Sequence, residues 1–168
     1  MLEHIDDPTL PDDVAAVTSA LLTASRLLVA VSVRSLAAAG GRVTLPQFRL
    51  LVLLGSHGET NLVTLADGLA VNSSTALRMV DRLALRNLVS RRMNPHSRRK
   101  MLLRLSTAGQ RIVDEVSTRR REEIAAIVTT MPARDRAGLV RALRAFTAAG
   151  GEPSEEEWER ARASLGWE

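Results

Sequence analysis

Apolar residues recur at helical spacing over much of the chain, which predicts a mainly α-helical protein. The first long helix is expected over residues 14–38 and ends at Gly40 and Gly41, because glycine readily takes a positive φ after a helix. Thr44 is placed to cap a second helix that stops near residues 55–58.

The middle of the chain predicts two short helices joined by a tight turn. The first runs through Leu65 to Leu69, Ala70 and Val71 form the turn, and Asn72 caps the second, which extends to Arg86. The second helix has one apolar stripe and an opposite face that is polar and basic. This arrangement is typical of a helix-turn-helix.

A β-hairpin is predicted directly after the second helix. Asn87 stands where a left-handed backbone is favoured, and a strand begins at Leu88. Asn94 to Ser97 supply turn residues, and apolar and polar residues alternate over 100–105. The bases gathered on this hairpin are Arg91, Arg92, Arg98, Arg99 and Lys100. A cationic hairpin in this position is a wing.

Both ends of the chain carry more apolar surface than a small winged domain can cover. Two amphipathic helices are predicted over 106–130 and from Pro132 to Gly150, and a short last helix opens at Ser154. We therefore expect two copies to bury these segments in an interface of about 2,000 Å² or more. The residues assigned to this interface are Leu21, Leu28, Val31, Leu139, Leu143 and Phe146.

Charge is unevenly distributed along the chain. The formal net charge is +4, but residues 1–13 hold five acids and residues 152–168 hold six. Residues 14–151 therefore hold 21 bases and 8 acids, a net charge of +13. A basic body favours a polyanionic partner, and nucleic acid before an anionic membrane.

Several kinds of chemistry are excluded by residue type and spacing. There are no cysteines, and His4, His57 and His96 lack metal-ligand spacing. Asp67 and Asp81 have no nucleophile or paired carboxylate at a useful spacing. The sequence predicts no enzyme, no metal site and no cofactor.

The N-terminal region is acidic and lacks the basic end and apolar run of a signal peptide. The strongly apolar stretch over 27–39 is interrupted by Ser32, Arg34 and Ser35, which makes it too short and too polar to span a bilayer. A cytoplasmic protein with no membrane partner is expected.

Four parts of the chain together resemble the MarR family of winged-helix transcription regulators. They are LPQFRLLVLL (45–54), TLADGLAVNSSTALRMVDRLALRNLV (64–89), NPHSRRKMLLRLSTAG (94–109) and the flanking long helices. The resemblance implies a homodimer with intertwined terminal helices, in which each winged domain docks on one half-site of a near-palindromic operator. It favours a repressor over an activator, and it implies a small-molecule effector that the sequence does not identify.

The resemblance is incomplete at the wing. Arg99 matches the arginine that enters the minor groove in this family, but Ser97 replaces the acid usually found two positions earlier. A serine can hydrogen-bond a guanidinium without pairing its charge, so we expect Arg99 to be held less firmly. The glycine usual after the recognition helix is Asn87 here.

The residues assigned to DNA contact lie on the second helix and on the wing. The helix is expected in the major groove, where Leu77 can touch a thymine methyl group. The tip arginines, Arg98 and Arg99, suit the minor groove, whereas the other wing bases suit phosphates. The full set is Asn72, Ser73, Ser74, Leu77, Arg78, Arg82, Arg91, Arg92, Arg98, Arg99 and Lys100.

The predicted fold is an all-helical dimer with a two-stranded wing. It divides into an acidic arm (1–12), an N-terminal dimerisation helix (13–40), a winged helix-turn-helix domain (41–106) and C-terminal dimerisation helices (107–168). Two functions stay open. One is a sequence-specific regulator that binds double-stranded DNA, and the other is a winged-helix module that binds an acidic protein.

Overall fold

The structure, a computed structural model, describes residues 14–94 and 97–151, without the side chains of residue 94 and residues 97–100. Its elements are α1 (Val14–Ala38), α2 (Leu45–His57), β1 (Thr60–Asn61), α3 (Leu62–Leu69), α4 (Ser73–Leu85), β2 (Val89–Asn94), β3 (Ser97–Leu105), α5 (Thr107–Thr130) and α6 (Ala133–Ala149). The predicted helical fold with a β-wing is confirmed. The acidic arm, the hairpin tip at 95–96 and the helix predicted from Ser154 lie outside the described residues.

Side-chain caps fix where the helices of the winged domain begin. Thr44 Oγ1 accepts a hydrogen bond from the Gln47 backbone, and Gln47 Oε1 accepts one from the Thr44 backbone, at 3.4 and 3.0 Å. Asn61, Asn72 and Ser106 cap α3, α4 and α5 with one side-chain oxygen each, which accepts hydrogen bonds from backbone N–H groups of the first turn. A cap of this kind contributes about 1 kcal/mol. The predicted caps at Thr44 and Asn72 are confirmed.

Two non-glycine residues in the described part of the chain hold a positive φ. Asn87, with φ 57°, follows the recognition helix α4 as predicted. Ala70, with φ 54°, ends α3, and its backbone N–H donates to the Asp67 carbonyl at 3.0 Å. The left-handed conformation costs an alanine roughly 1–2 kcal/mol, so the hydrogen-bonded turn imposes it.

The wing belongs to a three-stranded antiparallel sheet with strand order β1-β3-β2, one strand more than predicted. The short strand β1 pairs Thr60 with Leu103 and Asn61 with Leu102. This pairing satisfies backbone groups on the edge of β3 that a two-stranded hairpin would leave unpaired. It also ties the wing to the chain just before the helix-turn-helix.

The hydrophobic core lies between α2, the helix-turn-helix, the base of the wing and the first half of α5. Its fully buried side chains are Leu50, Leu51, Leu54, Val80, Leu83, Leu103, Leu105 and Val116. Each of these helices and strands therefore contributes to one core. The buried side of α4 packs against this core, and this packing sets the position of the helix.

The two outer helices are far less covered. No residue of α6 between 133 and 149 is buried, and α1 buries only four residues toward its C-terminal end. Of the residues predicted at the dimer interface, Leu21 is half-buried, whereas Leu28, Leu139, Leu143 and Phe146 are exposed. Val31, which was predicted at the same interface, is 0% exposed within a single chain.

By length and composition alone, α1 is also able to cross a membrane, with a mean hydropathy of 1.9 over its most apolar window. The stretch over 27–39 was predicted to be too short and too polar to span a bilayer, but the apolar surface of α1 extends back to Val14. One such helix is weak support for a span, because core and interface helices have the same composition.

Candidate nucleic-acid interface

The helix α4 has one buried face and one exposed face. The buried face is formed by Ala76, Val80 and Leu83. All the residues predicted for DNA contact on this helix and its cap are exposed: Asn72, Ser73, Ser74, Leu77, Arg78 and Arg82. No acid lies in the first turn, so the partial positive charge at the helix N-terminus is not neutralised there.

Local hydrogen bonds already occupy part of this face. Asn72 Oδ1 accepts from the Thr75 backbone and from Ser74 Oγ, both at 2.8 Å. The Asn72 side chain therefore orders the start of α4, and the Ser74 hydroxyl is oriented toward it. Arg78 Nη2 donates to Thr75 Oγ1 at 3.4 Å, a long and weak contact that leaves the guanidinium exposed.

Leu77 is an apolar side chain in a polar surface. It is 40% exposed, on the same helix face as Ser73 and Ser74. An apolar side chain at this position suits contact with the methyl group of thymine, which only the major groove displays. The surface of α4 thus combines hydroxyl, cationic and apolar groups of the kinds that read base edges.

The two strand β2 arginines point to opposite sides of the wing. Arg91 lies opposite the buried Leu103, and Arg92 lies opposite the half-buried Leu102. Because successive strand residues face opposite sides of a sheet, Arg91 is on the side of α4 and Arg92 is on the outer side.

Each of these arginines meets a carboxylate. Arg91 Nη2 lies 2.6 Å from Asp81 Oδ1 on α4. Arg92 donates through Nε and Nη2 to the two carboxylate oxygens of Glu59, which precedes β1. The hairpin itself contains no acid, and neither partner was predicted from the sequence, because both carboxylates come from other parts of the chain.

The pairing with Arg92 changes the titration of Glu59. The hydrogen bond from the Arg92 guanidinium holds the pKa of the Glu59 carboxyl below its usual range, against a smaller opposing effect of burial. The positive charge of Arg104 on β3 lowers this pKa further. Conversely, the Glu59 carboxylate raises the pKa of Arg92.

A cluster of hydrogen bonds joins the end of α4, the wing and the start of α5. Ser106 Oγ donates to the Asn87 carbonyl at 2.6 Å, and the Ser106 N–H donates to the Leu88 carbonyl at 3.1 Å. Gly109 lies directly over this joint, where an added Cβ would be 2.2 Å from the Leu88 oxygen. The recognition helix and the wing are therefore held at a fixed angle to α5.

Comparison with known proteins agrees with this geometry. The sequence model of the MarR family matches residues 43–101, which include α2, the helix-turn-helix and most of the wing. The crystal structure of RV1404 from Mycobacterium tuberculosis is 52% identical in sequence, with a TM-score of 0.78, and the match covers 85% of this chain and 97% of that one. The chain belongs to the MarR family.

Two other relatives of this MarR family protein match less closely. The structure of a MarR family protein from Bacillus stearothermophilus has a TM-score of 0.75 at 24% identity, with 83% of this chain and 96% of that one covered, which shows the shared fold. The uncharacterized HTH-type transcriptional regulator YsmB of Bacillus subtilis (strain 168) is 34% identical over 80 residues. That match covers 48% of this chain and spans only about half, 55%, of the curated relative.

MarR family members are DNA-binding regulators and not enzymes, as the sequence predicted. Within residues 14–94 and 97–151, no group of three or more His, Asp or Glu side chains is placed to hold a metal ion. The side chains of Arg98, Arg99 and Lys100 lie outside the described residues, so their predicted DNA contacts stay predictions.

Proposed function

We propose that this MarR family protein is a homodimer that binds near-palindromic double-stranded DNA in the cytoplasm and represses transcription by occupying a promoter. The observation that carries the proposal is the exposed face of α4, polar and basic, beside a wing rich in arginine. Between residues 78 and 104 the chain holds nine bases and the single acid Asp81.

The size of α4 fits the major groove. Its 13 residues make a rod about 20 Å long, and a groove about 12 Å wide admits one helix. In this position Ser73, Leu77 and Arg78 face the base edges, and Arg82 lies nearer the phosphates. The wing then lies along the backbone beside the same groove, with the tip arginines in the minor groove.

The uncovered apolar surface of the outer helices supports the homodimer. On α1, Leu22 is 58% exposed and Leu28 is 40% exposed, and on α6, Phe146 is 54% exposed. Large apolar patches on a soluble domain mark interaction sites. A second copy covers both helices at once, and its two-fold axis places two recognition helices about one DNA turn, ~34 Å, apart.

An effector remains a proposal based on the family resemblance. The cleft lined by Leu53, His57, Thr64 and Gly68 is open to solvent and has room for about one water molecule. Small-molecule sites usually begin at roughly 300 Å³, so this cleft is too small for one. We place the effector site instead where the dimerisation helices meet the winged domain.

Selection of bound duplexes from a random pool tests the proposal. We expect the recovered sequences to share a near-palindrome, and Arg78→Ala to weaken binding to it by about 1–3 kcal/mol. The matched control is Arg141→Ala, an exposed arginine on α6 that removes the same charge far from the wing. Recovery of no common sequence, or equal losses in the two variants, would contradict the proposal.

The same experiment addresses the rival function. A winged-helix module that binds an acidic protein should show neither a steep salt dependence on duplex DNA nor a preference for any sequence.

A further inference from the structure

The outer side of the wing contains one acid among basic residues. Glu59, Arg92 and Arg104 lie together there, since Arg92 binds Glu59 directly and Arg104 is close enough to lower the pKa of its carboxyl. These three groups sum to +1, and they would sum to +2 without the carboxylate. The acid comes from the loop before β1, whereas the two arginines come from β2 and β3.

The geometry of the pair limits what Arg92 can offer to DNA. Both carboxylate oxygens are engaged, one by Nε and one by Nη2, in a bidentate arrangement. A phosphate would have to approach the remaining Nη1 edge, next to a carboxylate that cancels the guanidinium charge. Arg92 in this state adds a hydrogen-bond donor to the wing but no net positive charge.

Stability of the fold does not explain the pair. The Arg92 side chain is 59% exposed and that of Glu59 is 26% exposed, and ion pairs this close to solvent contribute little to folding. Sequence-independent affinity for DNA, in contrast, depends directly on the number of phosphate charges that a protein neutralises.

We infer that Glu59 weakens sequence-independent DNA binding by neutralising Arg92, and this inference rests on the proposed function. A regulator gains from this arrangement, because the genome offers a vast excess of competing non-specific sites. The net charge of residues 59 and 92 together should set the sequence-independent affinity for DNA, so the wild type, the two single variants and the double variant should follow the order of that charge. At this position Arg92→Gln leaves −1, the wild type and the double variant leave 0, and Glu59→Gln leaves +1.

The experiment measures fluorescence anisotropy of the full-length proteins on a labelled duplex of random sequence between 50 and 200 mM KCl. We expect Glu59→Gln to have a steeper plot of log affinity against log salt, by about 0.9, so its advantage over the wild type grows about 3.5-fold from 200 to 50 mM. The double variant should follow the wild type, and Arg92→Gln should have the shallowest slope.

The matched control is Glu123→Gln on α5. Glu123 also accepts a hydrogen bond from an arginine, Arg34 Nε at 2.9 Å, and a second one from Ser35 Oγ at 3.3 Å, so the variant makes the same change in charge at an arginine-paired glutamate on α5. Its slope should equal that of the wild type. The melting temperatures of all variants, measured at one protein concentration, check that the fold is intact.

Three results would contradict the inference, and they differ in whether the proposed function survives. If Arg92 contacts phosphate regardless of Glu59, the double variant will bind as weakly as Arg92→Gln, and the inference is overturned while the proposed function stands. An equal or shallower slope for Glu59→Gln overturns it in the same way. If the wild type shows no salt-dependent binding to duplex DNA, the proposed function fails and the inference fails with it.

Discussion

Replacement of Gly109 by alanine tests how the DNA-binding unit is held to α5. A Cβ at this position would lie 2.2 Å from the Leu88 carbonyl oxygen and 2.7 Å from Leu105 Cδ1. The leucine side chain can rotate away, but the carbonyl is backbone and accepts the Ser106 N–H at 3.1 Å. To restore a normal contact, the start of α5 and the start of the wing must separate by close to 1 Å.

The change in the free energy of unfolding combines two destabilising effects and one stabilising effect. Overpacking costs about 1–3 kcal/mol, and loss of the Ser106 hydrogen bond costs about 1 kcal/mol. Alanine returns about 1 kcal/mol through its better helix propensity. We therefore expect a net loss of about 1–3 kcal/mol, which corresponds to a fall in melting temperature of about 2–12 °C for a chain of this size.

Thermal and urea unfolding at one fixed protein concentration measure this loss, because the stability of a dimer depends on concentration. Gly138→Ala is the matched control. Gly138 also lies inside a helix, α6, but an added Cβ there meets no atom within 4 Å, so the variant should be neutral or stabilised by up to ~1 kcal/mol. Equal stability of Gly109→Ala and the wild type would contradict the expectation that an added Cβ forces the start of α5 and the start of the wing apart.

Three further predictions concern the backbone, the interface and pH. Asn87→Gly should be neutral or slightly stabilising in urea unfolding, whereas Asn87→Val should cost about 1 kcal/mol or more, because φ is 57° there. Leu28→Glu should give a monomer in sedimentation and abolish tight DNA binding, since it places a charge in the proposed interface; a dimer with unchanged affinity would count against it. The stability difference between the wild type and Glu59→Gln should be small, constant above the ordinary glutamate pKa of 4.5, and lost as the pH falls from there through the folded-state pKa, which is lowered. Melting temperatures from pH 7 to pH 3 check this, and a difference that grows on acidification would contradict it.

Features decided by neighbouring residues could be predicted from the sequence. The caps at Thr44 and Asn72 depend on side chains three residues or fewer from the groups they bind. The left-handed backbone at Asn87 depends on where α4 must end. In each case the determining atoms are close in the sequence, so a short pattern contains the information.

Features that depend on distant parts of the chain could not be predicted in the same way. Strand β1 is two residues long and pairs with β3 some forty residues later, so its sequence alone does not reveal its partner. Asp81 and Glu59 were not recognised as partners of the wing arginines, since both pairs form across separate elements. The helical stripe that grouped Val31 with Leu28 did not reveal that Val31 is buried in a single chain whereas Leu28 is exposed, because burial depends on packing against other elements.

The proposed homodimer is tested by two affinities. One is the affinity for a recovered operator, and the other is the affinity for the same operator with about 5 base pairs inserted between its half-sites. A homodimer with two fixed recognition helices requires half-sites about one turn, or 10–10.5 base pairs, apart on one face of the DNA. An insertion of half a turn moves one half-site to the opposite face. We expect the affinity then to fall to the level of a scrambled duplex, and undiminished tight binding to the insertion duplex would contradict the proposed homodimer.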